Sequence, residues 1–234
     1  MPHLKTLFLQ LTALIAILLL PCQVFSQSLQ WQMTRTFDSE HSKIKVWRSK
    51  EKKQGIVSVK AELVVNSTLS GFLLFLQDTD NIPLWLDNAK SSQILKQFTE
   101  NKNLFVTYFD KQWPVSARHM VIQTEYRQNY DGSIDIYVMD AVKFDDEQLQ
   151  ASKSIRVSVN HAHWFIKAVS PTQIKITYQF SVHPNGNIPN WVANNVTISS
   201  VFRTMKNLSQ QLPQSQWQKH KLTNIKEYSA FNSN

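Results

Sequence analysis

Cysteine and glycine are scarce in this 234-residue sequence, which contains one Cys and four Gly. A single cysteine excludes an internal disulfide and a Cys-x-x-Cys redox or zinc pair. The four glycines stand too far apart to form a glycine-rich loop around a nucleotide phosphate, and no Gly-x-Ser-x-Gly nucleophile elbow occurs. These absences argue against a disulfide-stabilised scaffold, a glycine-loop nucleotide enzyme and a serine hydrolase of that type.

Acidic residues are outnumbered, because 17 Asp and Glu accompany 25 Lys and Arg and give a formal net charge of +8. The basic residues are dispersed rather than interleaved with aromatic residues in one stripe, so we expect no nucleic acid partner. Lysines can hold a protein at an anionic lipid surface or simply keep it soluble, so transient membrane contact stays open. His161 and His163 share one strand face, but no third ligand follows at a metal-site spacing. We predict neither a metal nor another cofactor.

The start of the chain has the layout of a secretory signal peptide. Over residues 1–26, a short polar start precedes the apolar run Leu7–Leu20 and a small residue, Ser26. The run is shorter than the roughly 20 apolar residues of a membrane span. Alternatives are an uncleaved anchor and lipoprotein processing at Cys22, although Pro21 is a poor residue before that cut. We therefore predict a cleaved signal peptide and a periplasmic or secreted mature chain.

The central part of the chain reads mostly as strands, because apolar and polar residues alternate over 44–65 and 91–183. Before and between these stretches, Leu29–Phe37 is predicted as a short helix or arm and Leu69–Leu76 as a short amphipathic helix. The Asp131-Gly132 pair predicts a β-hairpin, and strands joined by short turns indicate an antiparallel meander. The predicted strands include Ile56–Val65, Ser92–Thr99, Asn103–Asp110, His119–Tyr130, Ser133–Ala141, Lys153–His161, His163–Ala168 and Gln173–His183.

A long amphipathic helix is predicted near the end of the chain, capped by Asn187 and stopped by Pro213. An antiparallel sheet twists and has one face to bury, so it can wrap around this helix. The fold class is therefore α+β, with the folded domain over 27–212 and a polar C-terminal tail over 213–234. A twisted sheet and one helix leave a gap that becomes an apolar cavity. The same pattern is also compatible with a filled core.

Particular motifs add a family resemblance. In order, they are the helix end Leu73–Asp78, Trp85, the strand Leu104–Phe109, the Trp-Pro-Val-Ser-Ala-Arg-His stretch Trp113–His119, and His183–Asn194 at the last helix. Together they resemble the START domain, the steroidogenic-acute-regulatory-related lipid-transfer family, in a bacterial secreted form. The resemblance implies a helix-grip fold, in which a curved sheet grips the C-terminal helix around a lipid tunnel.

One position departs from the family pattern. The family's Arg-Asp pair is Arg118-His119 here, so a carboxylate partner for Arg118 would have to come from elsewhere, for example from Asp78 or Glu125. The sequence does not choose between these two.

The resulting hypothesis is a monomeric, non-enzymatic protein that encloses a lipid or sterol-like ligand, with Arg118 anchoring its polar group. One alternative is an enzyme on the same scaffold, with His119, His161 or His183 as the proton-transfer residue. Another is an envelope protein-interaction module with a filled interior. The residues expected to line the cavity are Arg118, Trp113, Trp164, Tyr178, Trp191, Val192, Phe202 and Met205.

Overall fold

The structure is a computed structural model, and it describes residues 30–51, 55–111, 114–142, 144 and 153–228. The predicted signal peptide, Cys22 and Trp113 lie outside these residues, so the expectations attached to them stay predictions. Within the described ranges, no helix has both the length and the apolar character needed to cross a membrane.

Ten strands of the described residues form one sheet, with the order β1-β2-β3-β10-β9-β7-β6-β5-β4 along its main path. All neighbours along this path are antiparallel, and β8 pairs in parallel with the start of β6. The strands are β1 Trp31–Asp38, β2 Ser42–Ser49, β3 Val57–Asn66, β4 Ala89–Thr99, β5 Lys102–Phe109, β6 Arg118–Gln128, β7 Ile134–Asp140, β8 Ile155–Arg156, β9 Ser158–Ser170 and β10 Gln173–His183.

The predicted antiparallel α+β architecture is confirmed, with two local corrections. Residues 31–37 of the segment predicted as a short helix or arm belong to strand β1, because they pair with β2, for example Phe37 with Ile44. The two strands predicted around residue 162 are one long strand, β9, which stays paired with β10 through this region. The hairpin at Asp131-Gly132 is as predicted, and Gly132 takes the positive φ of 80° that suits this turn.

The described residues also form three α-helices: α1 Leu69–Gln77, α2 Ile82–Trp85 and α3 Asn190–Gln211. Thr68 caps α1, since its hydroxyl accepts a hydrogen bond from the Gly71 amide at 3.0 Å. Helix α3 begins after Pro189, so the prediction that Asn187 caps it is wrong. Proline suits a helix start because it has no amide hydrogen to leave unpaired. With 22 residues, α3 is about 33 Å long at 1.5 Å per residue.

The main core lies between the concave face of the curved sheet and the helices. Helix α3 packs mainly on β3 and β2, with Met205 and Leu208 fully buried. A smaller cluster of Leu104, Val106 and Val121 lies on the opposite face of β5 and β6. These two strands are therefore buried on both faces, and their inward side chains alternate with outward apolar ones.

Residues after α3 form two short 3₁₀ turns, Leu212–Gln214 and Gln216–Lys219, and pack against α1. Ile225 is buried, and the Trp217 indole donates a 2.7 Å hydrogen bond to the Asp78 carboxylate. The sequence pattern shows a polar tail here, whereas the structure docks residues 213–228 on the domain.

Candidate functional site

Two apolar cavities lie side by side inside the domain. The inner cavity, of about 160 Å³, lies beneath α1 and α2 and above β5, β6, β7 and β9. The helix cavity, of about 210 Å³, lies beneath α3 and extends to the start of β6 and the end of β10. The wall that both cavities share consists of Leu86, Met120, Tyr178, Val182 and Thr204. The predicted gap between sheet and last helix is thus present, and it continues under α1 and α2.

The alternation of β5 and β6 sets the floor of the inner cavity. Asn103, Phe105 and Thr107 point inward from β5, while Leu104 and Val106 point to the other face. No Asp, Glu, Lys, Arg or His of the described residues lines this cavity. The inner cavity is therefore an apolar chamber with a few neutral polar groups, which is typical of a small-molecule site.

Stacked aromatic rings of β9 and β10 line the two cavities. The Tyr178 ring stacks on Trp164 at 4.0 Å between centroids and on Phe180 at 5.0 Å. Tyr178 and Trp164 are register partners on β10 and β9, so strand pairing holds their rings together. Burial raises the pKa of the Tyr178 hydroxyl well above its ordinary value, so this group stays neutral.

The helix cavity is lined by apolar side chains of α3 and by the loop after α2, which is hydrogen-bonded to α3. Met205 and Val201 supply part of its roof. The Asp87 carboxylate accepts hydrogen bonds from Arg203 Nε at 2.7 Å and Nη2 at 2.8 Å, and the Asp87 amide donates to the Thr204 hydroxyl. This fork ties the loop after α2 to α3 over the cavity.

Arg118 lies at the edge of the helix cavity and is only 8% exposed. Its guanidinium donates hydrogen bonds to three backbone carbonyls: Ser116 at 2.6 Å, Pro184 at 3.1 Å and Asn185 at 3.1 Å. Burial lowers the pKa of this guanidinium below its ordinary value. The side chain therefore fastens the start of β6 to the turn that precedes α3, which is a structural role.

The predicted carboxylate partner of Arg118 is not found at either proposed residue. Asp78 accepts hydrogen bonds from Trp217 and Asn81, and Glu125 pairs with Lys102 at 2.9 Å on the outer side of the sheet. Backbone carbonyls take the place of the carboxylate because the turn after β10 presents its oxygens to the guanidinium. The Arg-Asp pair that the sequence resemblance implies is therefore absent, and we call the three hydrogen bonds of Arg118 to backbone carbonyls the arginine–carbonyl lock.

Of the residues predicted to line the cavity, the structure places some in the cavity walls and others elsewhere. Trp164, Tyr178, Arg118 and Met205 line one or both cavities. Trp191, Val192 and Phe202 line neither, which corrects that expectation, and Trp113 lies outside the described residues.

The physical reasons for these corrections differ. Trp191 is in the first turn of α3 and is 70% exposed. Val192 is buried in protein packing, and Phe202 faces β1, where the Arg35 guanidinium lies 5.8 Å from its ring. Helical periodicity marks an apolar stripe but does not tell which part of that stripe meets the cavity.

The sequence analysis did not identify several of the residues that line the inner cavity. Asn103 and Thr107 share the inward face of β5 with the apolar residue Phe105. Polar residues on a strand face that is otherwise apolar could have indicated a polar contact inside the cavity. Trp85 was noted only as part of the family pattern, yet it lines the inner cavity from α2.

None of the three histidines considered for an enzyme lines either cavity. His161 is exposed on β9, and His183 accepts a hydrogen bond from the Asn185 amide. His119 is buried on the outer face of β6, where its Nδ1 lies 2.7 Å from the Ser154 hydroxyl. The histidine-based enzyme hypothesis therefore lacks the geometry that it requires.

His119 makes the stability of the fold depend on pH. Burial lowers the pKa of His119 from its ordinary value of 6.5, and the nearby Arg156 charge lowers it further against the hydrogen bond with Ser154. Below about pH 6.5 the unfolded chain binds a proton that the folded chain does not, so stability falls as the pH falls. Urea denaturation at pH 7.5 and 5.5 should show a smaller loss for H119Q than for the wild type. Equal losses in the two proteins would contradict this assignment.

The comparisons agree with this architecture. The START domain family profile matches residues 26–218. A STAR-related lipid transfer protein from Xanthomonas axonopodis aligns with a TM-score of 0.65 and 23% identity, covering 78% of this chain and 98% of that structure. The human StAR-related lipid transfer protein 5 aligns with a TM-score of 0.62 and 16% identity, covering 90% of this chain and 98% of that structure.

An uncharacterised protein of Pseudomonas aeruginosa is 27% identical over 170 residues, which are 71% of this chain and 75% of that protein. The two solved structures share the helix-grip fold, and the profile match spans most of the sequence. The chain therefore belongs to the START domain family.

Proposed function

We propose that this protein binds a lipid or another hydrophobic small molecule in the adjoining inner and helix cavities, without chemical conversion, and carries or senses it in the periplasm or outside the cell. The observation that carries the proposal is the pair of adjoining apolar cavities inside the domain. Membership of the START family supports it. An apolar chain placed there gains about 0.8 kcal/mol for each CH₂ removed from water.

The surroundings of the cavities favour binding over catalysis. The lining of the inner cavity contains no ionisable side chain of the described residues apart from Tyr126 and Tyr178. In the helix cavity, Asp87 is held by Arg203 and Arg118 by three carbonyls, while the third charged residue of the lining, Asp110, is exposed to solvent. Asp87 and Arg118 are committed to structural contacts, so they are poorly placed for proton transfer. The cavities also speak against the interaction-module alternative, which requires a filled interior.

Ligand access is proposed between the segment 78–88 and the start of α3. Leu84 on α2 and Trp191 on α3 are large apolar side chains that are 58% and 70% exposed. Tryptophan is favoured at the interface between membrane and water. A transient contact of this side with a lipid surface would place the access route against the lipid, with the protein remaining a monomer.

Filling the inner cavity should remove ligand binding. Ala162 lines this cavity from β9, so A162F places a ring where the ligand is proposed to lie. Organic extraction of the purified full chain followed by mass spectrometry should recover a stoichiometric hydrophobic molecule from the wild type and less than about a tenth of it from A162F. Uptake of a fluorescent lipid from phosphatidylcholine vesicles should fall in the same way.

The matched control is V169F, which adds the same ring to an exposed position of β9. It should retain ligand at the wild-type level. V138F, at a second lining position on β7, guards against a folding defect that is peculiar to A162F. Absence of any extracted ligand and of lipid uptake by the folded wild type would overturn the proposal.

A further inference from the structure

Two buried side-chain atoms of residues that line the inner cavity lack hydrogen-bond partners. They are Trp85 Nε1 and Asn103 Oδ1, and neither has a partner in the part of the chain that the structure describes. Their residues are only 4% and 2% exposed, and both line the inner cavity. Buried polar groups are nearly always paired, so two orphans in one chamber point to a group that the chamber is built to receive.

The two orphans have opposite hydrogen-bonding character. The indole N–H of Trp85 can only donate, and the amide oxygen of Asn103 can only accept. They do not bond to each other. A hydroxyl group both accepts and donates, so it is the simplest group that matches the pair. A purely apolar ligand would leave both atoms unsatisfied.

The surrounding structure holds both atoms in place. The Trp85 ring packs on Phe75 with centroids 5.8 Å apart, at the end of α2. Asn103 is on β5 between Gln97 of β4 and Thr124 of β6, so its backbone is fixed by strand pairing on both sides. Neighbouring polar groups are otherwise engaged, since the Ser92 and Thr107 hydroxyls bond to each other at 2.9 Å.

The absence of charge in this chamber decides what kind of polar group fits. No Asp, Glu, Lys, Arg or His of the described residues lines this cavity, and burial keeps the Tyr178 hydroxyl neutral. A carboxylate, phosphate or ammonium group would leave water without finding a countercharge, which is strongly unfavourable. The guanidinium that lines the adjoining helix cavity, that of Arg118, is already occupied by three carbonyls.

We propose that Trp85 and Asn103 select an uncharged, hydroxyl-bearing ligand, with the hydroxyl accepting from Trp85 Nε1 and donating to Asn103 Oδ1. This inference rests on the proposed binding function and narrows its ligand class. The apolar remainder of the ligand occupies the rest of the inner cavity and the adjoining helix cavity. Fatty acid anions and phosphate-bearing lipids are then disfavoured in the inner cavity.

The test compares probes with the same chain and different polar groups. 1-Dodecanol, dodecanoate at pH 8 and the methyl ether of dodecanol compete against the neutral dye N-phenyl-1-naphthylamine bound to the purified full chain. We expect dodecanol to bind at least about tenfold more tightly than dodecanoate, and about tenfold more tightly than the ether, which cannot donate to Asn103.

Two variants test the residues themselves. W85F removes the donor and keeps an aromatic ring, and N103L removes the acceptor with little change in size. Each should weaken dodecanol binding about tenfold and leave dodecanoate binding unchanged. W47F, which changes a tryptophan on β2 that lines neither cavity, is the matched control. Circular dichroism checks that each variant is folded.

The possible outcomes distinguish a failure of this inference from a failure of the proposed binding function. Equal binding of dodecanol and dodecanoate by the wild type would overturn the inference and leave hydrophobic binding standing. Unchanged dodecanol binding by both variants would also overturn it, since it would mean that water satisfies the two atoms. Failure of the wild type to bind the dye and every probe would overturn both proposals.

Discussion

Replacing Arg118 with methionine is expected to lower the free energy of unfolding by about 3 kcal/mol, since a buried polar group without a partner costs about 1–3 kcal/mol and three carbonyls are left behind. Those carbonyls belong to Ser116, Pro184 and Asn185, so hydrogen bonds are lost both next to the start of β6 and in the turn before α3. For a chain of this length, such a change lowers Tm by about 6–12 °C. Thermal and urea unfolding of R118M and the wild type measure it.

The same substitution should loosen the start of α3. The turn 184–186 precedes this helix by three residues, and a Cβ added at Gly186 would be in van der Waals contact with Arg118, 3.5 Å from its Nη2. Hydrogen exchange should therefore be faster in the first turns of α3 in R118M than in the wild type.

Two further variants sharpen this prediction. R118K should recover only part of the stability, because one ammonium group cannot span three carbonyls as a planar guanidinium does. R127M, which removes an exposed arginine of the same strand, is the matched control and should change stability little. An R118M protein as stable as R127M would show that the arginine–carbonyl lock contributes nothing.

Much of the fold could be predicted because it depends on local patterns. Alternation marked the strands, and the Asp131-Gly132 turn marked a hairpin through the φ of its glycine. Leu29–Phe37 was predicted wrongly because its state depends on pairing with β2, which is a contact between separate segments. Local propensity does not contain that contact, and pairing overrides it.

The site was less predictable for the same reason. Trp164 and Tyr178 could be expected in the cavity wall, since large inward residues of adjacent strands meet there. Trp191 could not be placed, because an apolar residue in the first turn of a helix can face the core or the solvent. The unpaired state of Trp85 Nε1 depends on which groups the other strands bring near, and no sequence pattern records this.

Deleting residues 213–234 is expected to destabilise the domain by about 4 kcal/mol, although composition alone marks them as a polar tail. Ile225 is buried, and Trp217 and Leu222 pack against the main core. A fully buried side chain of this kind contributes about 1.5–3 kcal/mol, and two of the three are only partly buried. Urea unfolding of the truncated and full chains measures the difference.

Hydrogen bonds from the same segment satisfy the ends of α1. The Glu227 carboxylate accepts from the Leu69 and Ser70 amides, both at 2.9 Å, and Gln218 accepts from the Thr68 amide at 3.1 Å. At the other end, Trp217 donates to Asp78, the C-cap of α1. The first amides of a helix have no partner within the helix, so a carboxylate there stabilises it through hydrogen bonds and the helix dipole.

A single substitution measures what the Glu227 carboxylate contributes to stability, separately from the buried side chains of the same segment. E227Q keeps the shape of the side chain but loses its charge and one acceptor, so it should cost about 1–2 kcal/mol. E40Q, at an exposed glutamate far from α1 in the chain, is the matched control and should cost almost nothing. Equal stability of E227Q and E40Q would contradict the cap.

The deletion should also affect the ligand, because Leu73, Leu76 and Gln77 of α1 form part of the roof of the inner cavity. Once its cap and its packing partners are removed, α1 opens more often and the bound molecule escapes faster. The truncated chain should therefore exchange a fluorescent lipid faster than the full chain at a temperature where both are folded. Exchange at the wild-type rate, with the full stability retained, would show that residues 213–234 are the dispensable tail that their composition indicates.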